Sequence, residues 1–242
     1  MVKRFYREVT FGEVPVGEVA GAPAPGYQVL LDGRPIRTQG GAAQIAPTRA
    51  LAEALAGEWR GQGPEIDPRS FPLRDLADYA IDHVAPARQE SIAKLLGYAE
   101  TDTLCYRADP DEPLYQRQQE LWEPLVAACE AAHGIRIERI SGIVHRSQPE
   151  AMIAALRTRL ATLDDFTLAG MITLASLAAS LFVALSVLEE RGAPGALFAA
   201  ANLEEDWQAQ QWGWDSEAEK VRTAREEAFC LAARFISLAR KA

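Results

Sequence analysis

The chain has 242 residues, a formal net charge of −9 at pH 7 and three cysteines. A chain of this length can bury a large core in one or two domains. The acidic balance argues against a nucleic-acid partner, because phosphate binding needs a basic surface. It favours a protein that is free in solution or one whose protein partner carries basic patches. The odd number of scattered cysteines is typical of a reducing compartment and argues against a disulfide framework.

We expect no targeting segment at the start of the chain. Basic residues occur there, but no apolar run follows them, and Glu8 comes early. A secretory signal peptide requires such an apolar run. The expected location is therefore the bacterial cytoplasm.

The chain is predicted to be an α+β protein with two domains. Residues 1–70 are predicted to form a small β-rich domain with one helix, since short alternating runs and turn signals dominate there. Residues 71–242 are predicted to form a larger helical domain, because apolar residues at three-four spacing and helix-starting prolines recur along them. Within the first domain we expect a strand at residues 5–14 and a loop at residues 17–26.

A β-hairpin is the clearest local prediction. Asp32-Gly33 between two apolar runs is a strong signal for a two-residue turn. In that register Val29 faces Ile36 across the strand pair. Pro35 cannot donate a ladder hydrogen bond, so its strand is expected at the edge of the sheet.

The first helix is predicted to begin after Thr48, a good N-cap residue. Its apolar residues recur at steps of four and end at Trp59, which we expect to anchor the helix in the fold. Glu58 and Gln62 lie within the same face. A carboxylate in an apolar face needs a partner or water, so Glu58 is either paired inside the fold or a contact for a partner.

The longest apolar segment, residues 166–188, is predicted to be one uninterrupted helix that Asp164 or Asp165 caps. At 1.5 Å per residue it would be about 35 Å long, enough for a membrane span. The acidic flanks and the missing aromatic and basic anchors favour a buried core helix instead. We expect protein contacts on every side of it. Small residues form one stripe along it: Ala169, Thr173, Ser176, Ser180 and Ala184.

Other elements follow from prolines, glycines and apolar spacing. A short strand is predicted at residues 135–138, which alternate in polarity. Further helices are predicted at residues 86–98, 113–133, 149–163, 196–211 and from 216 onwards. The last of these is expected to bury one apolar face. That face comprises Val221, Ala224, Ala228, Leu231, Phe235 and Leu238.

No motif announces an enzyme or a metal site. Phosphate-binding and nucleophile-elbow motifs are missing from the sequence, and its histidines lack the spacing that makes metal ligands converge. We expect no catalytic residue, no metal and no cofactor. Two alternatives stay open: an acidic enzyme of unknown substrate that uses Glu58 with Glu204 or Glu205, and a membrane-attached factor that uses residues 166–188.

Residues 203–215 hold the densest group of candidate binding residues, including three of the five tryptophans. On a helix, one side carries Leu203, Trp207 and Trp214. The other side carries Glu204, Glu205, Gln208, Gln211 and Trp212. Either this helix is enclosed in the core with its acids paired to arginines, or it forms a recognition surface, where aromatic and amide side chains surround carboxylates.

In these residues, and over nearly its whole length, the sequence resembles the assembly chaperones of F1 ATP synthase that hold the unassembled alpha subunit, found in mitochondria and some bacteria. The resemblance rests on the order and spacing of short motifs. They are Lys3-Arg4-Phe5-Tyr6, residues 31–38, Leu51-Ala52, Glu58-Trp59 with Gln62, Thr101-Asp102 with Cys105-Tyr106-Arg107, residues 118–124, and Leu203-Glu204-Glu205 with Gln208 and Trp212-Gly213. Phe71 replaces an expected methionine and Glu123 an expected aspartate, and both changes are conservative.

The resemblance implies a chaperone without enzymatic activity. It would bind free alpha subunit, cover the surface later taken by beta, and leave when the hexamer forms. A lone alpha subunit exposes an interface, and a large exposed apolar patch aggregates, whereas a stoichiometric binder stabilises it by mass action. We expect a monomer when free, without nucleic-acid binding or membrane insertion. The expected partner-binding residues are Glu204, Glu205, Gln208, Trp212, Glu58 and Gln62.

Overall fold

The computed structural model describes residues 2–15, 17–19, 25–142, 145–213 and 215–241. Its helices are α1 (Arg49–Arg60), α2 (Pro72–Tyr79), α3 (Arg88–Glu100), α4 (Pro113–His133), α5 (Glu150–Ala161), α6 (Asp165–Ala178), α7 (Leu181–Leu188), α8 (Pro194–Ala201), α9 (Leu203–Trp212) and α10 (Ser216–Arg240). Its strands are β1 (Val2–Lys3), β2 (Val9–Val14), β3 (Gly26–Leu31), β4 (Arg34–Pro35), β5 (Glu65–Ile66), β6 (Tyr106–Arg107) and β7 (Ile140–Ser141). Short sheets near the N-terminus precede a helical region, which confirms the predicted α+β class. Half of the predicted loop at 17–26, namely residues 20–24, and Trp214 lie outside the described residues.

The chain divides into two compact units. The first comprises Met1–Arg88, Asp164–Gly170 and Arg234–Ala242, and the second comprises Gln89–Leu163 and Met171–Ala233. Helices α6 and α10 therefore contribute residues to both units. The expected domain boundary after residue 70 stays a prediction.

The three-stranded sheet of the first unit runs in the order β2-β3-β4, with antiparallel neighbours. Asp32 and Gly33 have φ values of 48° and 77°, as a type I′ hairpin turn requires. The amide of Ile36 donates to the carbonyl of Val29 at 3.1 Å, which confirms the predicted register. Strand β4, which contains Pro35, is an edge strand as predicted. The predicted strand at residues 5–14 is too long at its start, because β2 begins only at residue 9.

Helix α1 packs on β2 and β3 and contacts α2. The Thr48 hydroxyl accepts a hydrogen bond from the amide of Leu51 at 3.1 Å and donates to the carbonyl of Leu238 at 2.6 Å. Trp59 is 8% exposed, and its ring lies 4.6 Å from that of Phe71. Both the predicted cap and the predicted anchor of this helix are confirmed.

A loop of the first unit is held by two acids, one in the last turn of α2 and one just after the helix. The Asp82 carboxylate accepts hydrogen bonds from the hydroxyl of Thr38 at 2.7 Å and from the amide of Gly40 at 2.8 Å. The Asp78 carboxylate accepts from the amide of Gln39 at 3.1 Å. A Cβ on Gly40 would lie 2.7 Å from Asp82 Cγ, so a side chain at this position would force the Asp82 carboxylate to move.

The predicted single helix at residues 166–188 is wrong, because the segment forms α6 and α7 with a break at Ala179 and Ser180. Ala179 has a positive φ of 48°. Ser180 is extended and caps α7 by accepting a hydrogen bond from the amide of Val183 at 3.0 Å. The amide and hydroxyl of Thr103 donate to the carbonyl of Ala179 at 3.1 and 3.0 Å. The carbonyl left free by the break is thus paired with a residue far away in sequence.

Asp102 supports the same break. It is fully buried in the second unit, and its carboxylate accepts hydrogen bonds from the amides of Leu104 and Phe182, each at 3.0 Å. The Ser180 side chain also hydrogen-bonds to it. Burial raises the pKa of Asp102 to about 7, although the hydrogen bonds oppose this change. Asp102 therefore ties the start of α7 to the segment after α3.

The expected enclosure of this helix is wrong for α6. Ser176 and Ala179 are exposed and Thr173 is half-buried, whereas Ala169 and Ser180 are buried. The stripe of small residues is therefore exposed only near Ser176, and it is buried again at Ser180 and Ala184. In the described part of the chain, no helix has the length and apolar character that a membrane crossing needs. Asp164, as predicted, caps α6, since its carboxylate accepts from the amide of Thr167 at 2.9 Å.

Three predictions in the helical region need correction. The predicted helix at 196–211 is two helices, α8 and α9, with a break at Asn202. The predicted strand at 135–138 is wrong in position, because the strand is β7, which pairs in parallel with β6. The last helix starts at 216 as predicted, but Val221 is 51% exposed. Its buried residues are Phe229, Ala232, Ala233, Phe235, Ile236 and Ala239.

Candidate functional site

Helix α9 carries the predicted binding residues of the 203–215 segment. It follows directly on the break at Asn202, whose side-chain amide donates to the carbonyl of Phe198 at 2.8 Å. Helix α9 contacts α4 and α8. Leu203 is buried, whereas the later residues of the helix are half-buried or exposed. The helix is therefore not enclosed in a core.

Two acids of α9 are paired with arginines of α10. The Asp206 carboxylate accepts two hydrogen bonds from Arg222, at 2.8 and 2.7 Å. Glu205 pairs with Arg225 at 3.2 Å. Both guanidinium groups also lie over the ring of Phe198, at 4.8 and 5.7 Å from its centroid. These two acids therefore have partners within the fold, as the core-helix interpretation expects.

Glu204 differs from its neighbour Glu205. Its Oε1 accepts a hydrogen bond from the side-chain amide of Gln118 at 2.8 Å, and among the described residues it forms no ion pair. The residue is exposed, yet the surrounding protein removes enough water from the carboxylate to raise its pKa, which the Gln118 hydrogen bond lowers only in part. Glu204 is thus a partly desolvated carboxylate that lacks a cation.

Gln118 positions the Glu204 carboxylate. It is fully buried on α4, and its amide oxygen accepts from the backbone amide of Ala108 at 2.8 Å. The backbone carbonyl of Gln118 accepts a hydrogen bond from the guanidinium of Arg107 at 3.1 Å. With the side-chain oxygen occupied by Ala108, the NH₂ group is directed at Glu204. The acid is therefore held at its place by buried polar contacts.

A network of alternating charges lies behind Gln118. Arg107 contacts Glu123 at 3.3 Å, and Arg139 bridges Glu123 at 2.5 Å and Glu130 at 2.6 Å. The Arg107 guanidinium also lies 5.3 Å from the centroid of the Trp122 ring. No role was predicted for these residues, although Arg107, Trp122 and Glu123 lie in motifs that carry the family resemblance. The glutamate in place of the expected aspartate contacts both arginines.

The exposed side of α9 combines one acid, two amides and one aromatic ring. Glu204, Gln208, Gln211 and Trp212 are all exposed, and Trp212 is 82% exposed. Their spacing of four, three and one places them on one face of the helix, which we call the α9 face. Exposed tryptophans are enriched at protein interfaces, where they supply apolar area. The α9 face therefore has the chemistry of a recognition surface.

The remaining predicted binding residues lie in the first unit. The Glu58 carboxylate accepts from the amides of Leu73 at 2.7 Å and Arg74 at 2.9 Å, and so caps α2. Burial raises the pKa of Glu58 against these two hydrogen bonds. Gln62 is 6% exposed and donates to the hydroxyl of Ser70 at 2.7 Å. Both side chains have partners inside the fold, and a contact with a partner protein stays a prediction for them.

The family model described as ATP12 chaperone protein matches residues 3–130, more than half of the chain. The chain belongs to the ATP12 chaperone family. The mitochondrial protein atp12 of Schizosaccharomyces pombe is 25% identical over 231 residues, which span 90% of this chain and 76% of that protein. The crystal structure of Atp12 from Paracoccus denitrificans is 34% identical, with a TM-score of 0.91 over 99% of each chain. A crystal structure from Agrobacterium tumefaciens is 35% identical, with a TM-score of 0.89 over 99% of this chain and 86% of that one. These likenesses confirm the resemblance to the F1 ATP synthase assembly chaperones and the ATP12 fold over nearly the whole chain.

Proposed function

We propose that this ATP12-family protein binds the free alpha subunit of F1 ATP synthase and covers its subunit interface until beta replaces it. The observation that carries the proposal is the state of Glu204. Its carboxylate is exposed and partly desolvated, and it is hydrogen-bonded to the neutral amide of Gln118. A basic group on a client would supply the missing cation.

The rest of the α9 face suits the same role. Trp212 offers a large apolar ring, and Gln208 and Gln211 offer donors and acceptors around it. A subunit interface that is exposed before assembly presents apolar surface that aggregates. Apolar area then supplies affinity, while the acid selects a client of opposite charge.

The two glutamates are proposed to act differently. Glu204 is the direct client contact, because it has no cation in the described fold. Glu205 is already paired with Arg225. It is therefore expected to lie at the edge of the client contact and to affect binding only through longer-range electrostatic attraction. Glu58 and Gln62 are proposed to support the binding-competent fold of the first unit through their internal hydrogen bonds.

Charge reversal at Glu204 tests the proposal. Glu204→Lys should weaken capture of purified free alpha subunit by at least about tenfold, because it sets like charges against each other. Glu227→Lys is the matched control, since Glu227 is an exposed acid on α10. Isothermal titration calorimetry measures the affinity, and thermal unfolding verifies that each variant is folded. If Glu204→Lys binds alpha as tightly as the control, the client surface lies elsewhere.

The other functions considered have less support. Both oxygens of the Glu58 carboxylate accept backbone hydrogen bonds, so this group is committed to the cap of α2 rather than to proton transfer. Relatives of this chain are named as chaperones, and chaperones of this kind need no catalytic group. We also propose that the protein acts in the cytoplasm and is a monomer when no client is bound.

A further inference from the structure

A groove of about 540 Å³ lies in the first unit. Its walls combine aromatic rings, the edge strand β4 and three guanidinium groups. The aromatic residues are Phe5, Tyr6 and Trp59, and the cations are Arg34, Arg37 and Arg74. Such a concentration of arginines stands out in a chain whose net charge is −9.

Two of these arginines are available to a ligand. Arg34 is exposed, and its guanidinium forms no hydrogen bond or ion pair among the described residues, although it attracts the Asp32 carboxylate at longer range. Arg37 is also exposed, and its guanidinium donates to the backbone carbonyl of Gly41 at 2.8 Å. Arg74 is different, because its guanidinium lies over the ring of Trp59, 5.6 Å from the centroid, and forms a fixed wall.

The acid in the groove, Asp32, forms no direct ion pair with these cations among the described residues. The Asp32 carboxylate accepts hydrogen bonds from the amide of Glu8 at 2.8 Å and from the amide of Arg7 at 3.0 Å. These hydrogen bonds are the main reason why the pKa of Asp32 is lowered. With this carboxylate turned to the backbone, the guanidinium groups of Arg34 and Arg37 retain free donors.

The apolar part of the groove is also incompletely covered. Phe5 is 67% exposed, although its ring contacts Tyr6 edge to face with the ring centroids 5.4 Å apart. An exposed phenylalanine beside unpaired arginines offers both apolar contact and charge to one ligand.

We propose that this groove binds an extended acidic segment of a partner protein, in which carboxylates alternate with aromatic or large aliphatic side chains. Arginine pairs with carboxylates through two parallel hydrogen bonds, and the ring of Phe5 packs against the apolar side chain. Charge complementarity favours such an occupant over a basic one. A nucleic acid would meet the same arginines, but the net charge of −9 opposes it. The binding is independent of alpha capture by the α9 face.

The probe is a fluorescein-labelled peptide of alternating aspartate and phenylalanine, measured by fluorescence anisotropy with the full chain. We expect saturable binding that weakens as salt is added. Two matched peptides, with lysine for aspartate or with alanine for phenylalanine, should bind more weakly. In the protein, Arg34→Glu combined with Arg37→Glu should weaken binding at least about tenfold, and Phe5→Ala should weaken it as well.

A control with the same change in net charge separates the groove from general attraction. It combines Arg136→Glu with Arg146→Glu, two exposed positions of the second unit, and should bind the peptide like the parent chain. Equal binding of the aspartate and lysine peptides, or equal weakening by both double variants, would overturn the proposal. So would tighter binding of a single-stranded oligonucleotide that depends on Arg34 and Arg37. If the groove double variant does not fold, Phe5→Ala decides, and undiminished peptide binding by that variant refutes the groove.

Discussion

The buried carboxylate of Asp102 makes an unusual pH dependence of stability testable. Its pKa is raised from 3.8 to about 7 in the fold, so the folded chain binds the proton more tightly than the unfolded chain does. The stabilisation from the protonated group is therefore fully present below about pH 4 and is lost as the pH rises through about 7. Asp102→Asn removes this titration, whereas the rest of the chain titrates as before.

The magnitude follows from the hydrogen bonds and from the shift. The asparagine oxygen can replace one carboxylate oxygen, but its NH₂ group then faces the amide of Leu104 or Phe182, which is a donor. A buried donor left without an acceptor costs about 1–3 kcal/mol. Between about pH 5 and pH 8, ionisation of Asp102 inside the fold costs the parent chain roughly 2–3 kcal/mol. The variant should thus be less stable at the lower pH and equal or more stable at the higher pH.

Denaturation by urea at several pH values measures this difference. Asp109→Asn removes an exposed aspartate and controls for the loss of one charge. The gap in unfolding free energy between parent and Asp102→Asn should shrink by roughly 2–3 kcal/mol from about pH 5 to about pH 8. Parallel stability curves for the parent and Asp102→Asn across this range would refute the reasoning, because they would mean that Asp102 does not titrate there.

Three further substitutions test the packing of the fold. Trp59→Arg removes the ring packed on its aromatic neighbours and buries a charge. We expect the variant not to fold, which circular dichroism would show. A soluble variant that unfolds cooperatively near the parent's midpoint would contradict this. Ala179→Gly relieves a positive φ of 48° and should keep or raise the thermal midpoint. In contrast, Ala224→Gly in exposed helix should lower stability by about 1 kcal/mol, and equal losses at both positions would exclude strain at the break. Gly40→Ala should lower the free energy of unfolding by about 1–3 kcal/mol, because the added methyl group displaces the Asp82 carboxylate. If that displacement is the cause, the double variant Gly40→Ala with Asp82→Ala should be hardly less stable than Asp82→Ala alone.

Features with a local cause could be predicted from the sequence. The turn at Asp32-Gly33 needs two residues that tolerate positive φ, and the register of β3 and β4 follows from that turn alone. Thr48 caps α1 through an amide only three residues away. Gly134 ends α4 in the left-handed conformation that glycine adopts without strain. In each case the determining contacts lie within a few residues.

The helix breaks could not be predicted, because their causes are distant. Ala179 and Ser180 carry no breaking residue type, and the break is stabilised by Asp102 and Thr103 from another part of the chain. Alanine at positive φ is costly and is accepted here because those contacts fix the conformation. The break at Asn202 likewise depends on where α8 and α9 pack, which apolar spacing does not reveal.

The candidate site shows the same division. The sequence indicated a group of acids, amides and tryptophans on one helix, but it could not separate Glu204 from Glu205. The difference lies in their partners, Gln118 on α4 and Arg225 on α10, which meet α9 only in the folded chain. The network around Arg107 was missed because alternating charges in space leave no pattern in the sequence.

Because the first unit is built from segments far apart in sequence, it can complete its folding only late in synthesis. Residues 234–241 belong to that unit, and the hydrogen bond from Thr48 to Leu238 joins positions 190 residues apart. A ribosome makes the chain from its N-terminus, and a unit folds only once all of its parts exist. The second unit, whose segments end at residue 233, is available to fold earlier. The early sheet and α1 must therefore wait, incompletely covered, until α10 has left the ribosome, and closing so long a loop slows their completion.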